Sequence, residues 1–179
     1  MQTVALRQHS DPTLQQRALK LIGAASDAKR DEVVRRFLPA LELRGDKQRG
    51  QAAFQRLCQS CHRFGSDGFA VGPDLAGARS GGKEKLLVNI LDPNREVPPN
   101  YFGYVVQTRN GDSYTGLIVN ETANSVTVRQ PLGIEVDVLR SQIARMQASR
   151  QSLMPEGLEE GLTQQDMADL VDFIFANVH

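Results

Sequence analysis

Charge of one sign is missing from this chain: across 179 residues, 21 lysines and arginines stand against 21 aspartates and glutamates. A balance this even gives no net field toward nucleic acid or an anionic membrane, so neither is expected as a partner. Long apolar runs are missing as well, and nothing approaches the roughly 20 residues that a membrane-spanning helix needs. Cysteine is scarce, with two residues in all. They stand three positions apart and leave no thiol for a structural disulfide, so the chain is otherwise free of cross-links. The opening run from Met1 to Ala5 is too short for a signal peptide and gives way at once to Arg7, Gln8, His9 and Asp11. The length suits one large domain or two small ones.

What the chain does have is concentrated in Cys58-Gln59-Ser60-Cys61-His62. The pattern C-x-x-C-H is that of covalent haem attachment. Two thiols on one turn of chain add across the two vinyl groups of one porphyrin, and the next residue offers its imidazole to the iron. A zinc site would need further Cys or His close by, and a thioredoxin-like redox pair would need a βαβ setting; this segment has neither. The motif therefore reads as one haem c held by Cys58 and Cys61, with His62 as the proximal iron ligand. Bacteria attach haem to this motif outside the cytoplasm. The chain is accordingly expected to be periplasmic or otherwise extracytoplasmic, and to be a piece of a longer exported protein.

Helical periodicity frames the motif. Asp11-Pro12 is placed to open a helix carrying Leu14, Ala18, Leu21, Ile22 and Ala25, and a second amphipathic segment carries Val33, Val34, Phe37, Leu38 and Leu41 until Pro39 kinks or ends it. Residues 1–44 so form a helical segment that reads either as the last unit of a HEAT-like repeat array or as an extension packed on the next domain. From Gly45 onward, Gly50, Ala53, Phe54 and Leu57 share the face of a helix that runs into Cys58. At the far end Thr163-Gln164-Gln165-Asp166 forms a capping box before the stripe Met167, Leu170, Val171, Ile174, Val178. A further helix from about Lys83 to Leu91 stops at Asp92-Pro93.

After Pro98-Pro99 the period changes from helical to alternating. Tyr104 to Arg109 leads into the hairpin signal Asn110-Gly111; Val126 and Val128, then Ile134, Val136 and Val138, alternate with polar residues on either side of Pro131-Leu132-Gly133. Ile143 to Met146 is placed as a last short strand. The expectation is a four- or five-stranded antiparallel unit at about residues 101–148, curled like a small barrel and inserted before the closing helix. The fold class is thus mainly α with a β insert: a helical domain over 45–179 carrying a small antiparallel β unit, preceded by the helical, HEAT-like segment.

Several of these elements together resemble class I cytochrome c, and more closely the haem-binding domains of planctomycete and verrucomicrobial type. They are Gly-x-x-x-Phe before C-x-x-C-H, Gly72-Pro73-Asp74-Leu75, Ile90-Leu91-Asp92-Pro93-Asn94, the strand unit at Asn110-Gly111, and Met154-Pro155 before the last helix. The resemblance implies that the first and last helices cross closely, with Gly50 and Phe54 against Phe173 or Phe175, that the Pro73 carbonyl accepts from the second ring nitrogen of His62, and that Met154 is the distal iron ligand. Met146 and Met167 are the competing methionines; Met167 lies on a buried stripe, and His9 and His179 stand near the termini. With both axial positions filled, the implied role is electron transfer and not catalysis, from a fused or partner dehydrogenase to a respiratory carrier. The alternative is a haem-based gas or redox sensor in which the distal Met is labile. A dihaem peroxidase is disfavoured, since one motif supplies one haem.

Overall fold

The computed structural model describes Asp11 and residues 28–176. The helix expected from Pro12 through Ala25 lies outside the described residues. Helix α1, Ala28–Phe37, ends where Pro39 cannot continue it, and a short 3-10 turn, Leu38–Glu42, follows. Helix α2, Lys47–Leu57, is capped by Asp46, whose side chain accepts from the Arg49 N–H, and runs directly into Cys58. Helix α3, Gly82–Leu91, stops at Asp92 before Pro93. Helix α4, Gln164–Phe175, begins with the full reciprocal capping box between Thr163 and Asp166.

These four helices share one core. Phe54, Leu87, Leu91, Met167 and Leu170 are its most deeply buried large side chains, and Val34, Phe37 and Ala40 of the first segment enter the same cluster. Residues 28–42 are also tied in by charge. The Arg30 guanidinium donates to the Leu91 carbonyl at the end of α3 (2.7 Å) and to both oxygens of the buried Glu159 (2.9 and 3.0 Å). A cation at a helix C-terminus meets carbonyls that have no partner within the helix.

Helices α2 and α4 cross at glycine. A Cβ on Gly50 would lie 2.1 Å from the Asp169 carbonyl oxygen and 2.6 Å from the Phe173 Cβ, and one on Gly45 would lie 2.5 Å from the Ala168 carbonyl oxygen. Of the two aromatic candidates on α4, Phe173 makes the crossing, with its ring 5.8 Å from Phe54 and 5.2 Å from Phe64. Asp169, 1 % exposed, is satisfied at the same crossing by Arg49, the Asp46 N–H and Gln165.

The insert is a five-stranded antiparallel sheet, β1 Phe102–Thr108, β2 Ser113–Glu121, β3 Ser125–Arg129, β4 Glu135–Leu139 and β5 Ile143–Ser152, in the order β4-β3-β2-β1-β5. The first part of β2 pairs with β1 and the last part with β3, and the strand turns from one to the other near Gly116. A Cβ there would meet the Arg129 carbonyl oxygen at 2.2 Å. Val106, Val128 and Val138 form the inner cluster, with Tyr114, Ile118, Val136, Ile143 and Met146 around it.

Two details differ from the sequence reading. Asn110-Gly111 sits in a longer loop, because Thr108 donates to the Asp112 carbonyl (2.9 Å) and Asn110 binds the Asp112 side chain (2.8 Å) in place of a two-residue turn. The last strand extends to Ser152, well past Met146, so the insert spans 102–152 and not 101–148. Its polar second half, Gln147 to Ser152, has no strand signal of its own and is held by pairing with β1, Tyr104 against Ala148 and Phe102 against Ser152.

Candidate functional site

The turn that carries the cysteines continues α2. Cys58 donates its N–H to the Phe54 carbonyl (2.8 Å), and Cys61 and His62 donate theirs to the Cys58 carbonyl (3.0 and 2.8 Å). This compact turn, closed by hydrogen bonds between near neighbours in the chain, carries both cysteines and the histidine. The following loop then folds back on it. Val71 and Gly72 both donate to the Cys61 carbonyl (2.9 and 2.7 Å), and Leu75 donates to the Arg63 carbonyl (2.9 Å). Arg63 and Asp74 pair across the loop at 3.0 Å, and Asp74 also accepts from the Ala76 N–H (2.9 Å). That N–H, with the Arg63 guanidinium after it, holds the Asp74 carboxyl below its ordinary value.

His62 is oriented by this fold-back. Its Nδ1 lies 2.8 Å from the Pro73 carbonyl oxygen, which can only accept. The ring proton therefore sits on Nδ1, and Nε2 keeps its lone pair. A Cβ on Gly72 would lie 2.4 Å from the imidazole Cε1, so the ring rests against bare backbone that any other residue would fill. Burial lowers the pKa of His62, against the opposing Pro73 hydrogen bond, and favours the neutral ring that a metal requires.

Neither cysteine is in a disulfide; Cys58 is buried and Cys61 half-buried. Burial, and then the neighbouring Cys61, push the Cys58 pKa up to about 12. A thiol held so firmly protonated is a poor nucleophile for disulfide exchange. A thioether carries no charge and is suited to the same apolar place. Among the described residues no group of three or more His, Cys, Asp or Glu stands ready to hold a metal ion. Neutral imidazole, apolar thiol and glycine-lined ring face all fit a haem bonded through Cys58 and Cys61 and ligated by His62.

The methionines separate by location. Met167 is fully buried in the helical core, as its place on the α4 stripe predicts. Met146 stands opposite Val106 and packs into the sheet's own cluster. Met154 is partly buried against the helical core. Its loop is fastened: the Met154 N–H donates to Ser152 Oγ (3.1 Å), the Ser152 N–H to Asn94 Oδ1 (2.8 Å), and Asn94 Nδ2 to Glu156 (2.5 Å). Asn94 was legible only as the end of a helix motif; that it grips both sides of Met154-Pro155 had no local signal. Leu153 also packs where a Gly103 Cβ would be, 2.6 Å from its Cδ2.

Residues 47–114 match a family model described as Cytochrome c. The match covers α2, the attachment motif, the Gly72-Pro73 loop, α3 and the chain into the start of β2. No curated protein matches the chain. The matched region is a cytochrome c-type haem-binding domain. Its cofactor is haem c, attached covalently, and haem-based electron transfer is its chemistry. Among the described residues no helix is long and apolar enough to cross a membrane.

Proposed function

We propose that this chain is the electron-transfer module of a longer exported protein, taking electrons from a fused or partner dehydrogenase and passing them to a respiratory carrier. The observation that carries this reading is the His62 imidazole held by the Pro73 carbonyl at 2.8 Å, directly after the two cysteines. A haem bound there supplies reversible one-electron exchange at iron. The chain's part is to hold it. Cys58 and Cys61 anchor the macrocycle, His62 presents Nε2, and the hydrogen bond to Pro73 raises the basicity of the imidazole.

Met154 is the proposed distal ligand. Its support is the loop, which Ser152 and Asn94 fasten through the Met154 and Ser152 N–H groups while the Met154 side chain packs partly buried against the helical core. Thioether ligation would close the iron to small ligands and favour the reduced state. We assign the domain to residues 45–179, to the planctomycete and verrucomicrobial type, and to the periplasm or another extracytoplasmic space. The preceding segment is read as the end of a HEAT-like helical region.

Optical spectra of the oxidised and reduced protein test the assignment. Retention of haem through acid–acetone extraction, a c-type pyridine haemochrome and a sulfur-to-iron band are expected. Rapid carbon monoxide binding by the untreated reduced protein would instead favour a sensor with a labile distal Met.

A further inference from the structure

The insert does more than lie beside the helices: its β3–β4 turn is fastened onto the haem-attachment loop at three points. Leu132 donates its N–H to the carbonyl of Ser60, between the two cysteines, at 2.7 Å. Arg129 donates through Nη1 to the Ala70 carbonyl at 3.0 Å. Gly133 lies so close to Phe69 that a Cβ would come within 2.9 Å of the ring. The turn is closed by Gln130 N–H to the Ile134 carbonyl (2.8 Å), and Arg129 is held from behind by Glu135 at 2.8 Å.

Two features set these contacts apart from incidental packing. Leu132 has a φ of 63°, a left-handed conformation that is unfavourable for a non-glycine residue. That cost is sustained at the residue whose N–H meets the motif. Ala70, meanwhile, directly precedes the residues that set the imidazole. Val71 and Gly72 bind the Cys61 carbonyl, and Pro73 accepts from His62. A continuous path runs from Glu135 through Arg129 to Ala70 and so to the acceptor of the His62 ring proton.

We propose that Arg129 is a positioning residue for the proximal imidazole, and that the β3–β4 turn is how the sheet fixes the loop carrying it. The insert then tunes the haem from the attachment side through a backbone carbonyl, without touching the iron. This rests on His62 being the proximal ligand. A low-spin imidazole signature in the unaltered protein tests that reading separately, before any variant is made.

The experiment compares R129Q with R140Q in the haem-loaded protein. Both remove an arginine that pairs with a carboxylate on the sheet, but Arg140 binds Glu121 and the Thr122 carbonyl, and among the described residues its side chain makes no hydrogen bond to the attachment loop. R129Q is expected to shift the paramagnetic NMR positions of the haem methyls and to speed exchange of the His62 ring N–H several-fold. R140Q should leave both at parent values. R129K, which keeps one donor, should recover most of the parent pattern. E135Q leaves Arg129 in place but untethered and should give the R129Q shift at smaller amplitude. It decides the matter if R129Q yields too little holoprotein, because an unchanged E135Q spectrum rejects the proposal. A parent-like R129Q spectrum, or an equal shift in R140Q, overturns it.

Discussion

The helical half and the sheet are built on different scales. Phe54, Leu87, Leu91, Met167, Leu170 and Ile174 are all essentially inaccessible in one continuous helical core, whereas the sheet's cluster rests on Val106, Val128 and Val138. The helical half has enough apolar volume to fix its side chains by packing. The sheet depends more on its hydrogen-bond ladders and on its tethers at Ser60, Ala70 and Asn94. The difference teaches where the attachment motif is fixed. It sits on the turn that leaves α2, and the smaller body fastens the loop around it from outside.

The largest expected effect separates the halves by chemistry. Replacing Cys58 and Cys61 together by alanine should leave no haem on the polypeptide after acid–acetone extraction, read as a mass equal to the bare chain. Helical ellipticity should fall more than the strand signal, because Cys58 is part of the helical core and of no contact inside the sheet. A mass that still includes haem, or a loss of strand signal first, breaks the comparison.

Packing gives the next effect. Phe54→Ala should cost about 3–5 kcal/mol, as for other fully buried aromatics, and G50A should cost at least about 1–3 kcal/mol, because its Cβ meets the α4 backbone. Val128→Ala in the sheet should cost only about 2 kcal/mol. Thermal unfolding of the three variants measures the order.

The methionines sharpen the comparison at the iron. M154A should abolish the sulfur-to-iron band, lower the midpoint potential and open the iron to carbon monoxide. M146A, whose side chain belongs to the sheet cluster, should leave the spectrum unchanged and cost stability only. If M146A alters the spectrum and M154A does not, the assignment of the two residues to different halves is wrong.

How much of this was readable follows from how local each signal is. The motif turn, the Thr163–Asp166 capping box and the break at Pro39 are formed by neighbours in sequence, and the sequence reading placed them; the Asp46 cap is equally local but was not read. The glycine crossing was readable at Gly50 because a small residue on one helix and aromatics on the other form a recognisable pair, although the choice of Phe173 needed the structure. The second half of β5 was not readable. Ser149, Gln151 and Ser152 are polar, and their strand state comes from β1, more than 40 residues away in the chain. The hold of Arg129 on Ala70 spans 59 residues and that of Ser152 on Asn94 spans 58, so no local pattern of residue types announces either.

The smallest expected effect concerns acid. Burial pushes the Asp169 carboxyl upward, but Arg49, the Asp46 N–H and Gln165 outweigh it and hold its pKa below the ordinary value. Glu159 and Asp172 follow the same balance, burial opposed chiefly by Arg30 and by Lys83, and Asp166 is held low by Thr163. All four groups belong to the helical half. A carboxyl with a folded pKa below its unfolded one contributes stability that is complete above the unfolded value, about 4, and is lost as pH falls through the folded value. Stability should therefore be nearly flat from pH 7 to 5 as far as these groups are concerned, then decline below about pH 4 as the helix crossing gives way. Asp169→Asn isolates one contribution. At pH 7 the variant should melt at a lower temperature than the parent, because an amide cannot answer the Arg49 guanidinium as a carboxylate does. Once Asp169 itself is protonated, the parent holds a neutral group there too, and the gap should close toward zero as the pH falls through the folded value. Melting curves followed at the helical band across that range read the gap directly. A constant gap at every pH would mean that Asp169 acts through shape alone and that charge has no part in holding α2 to α4.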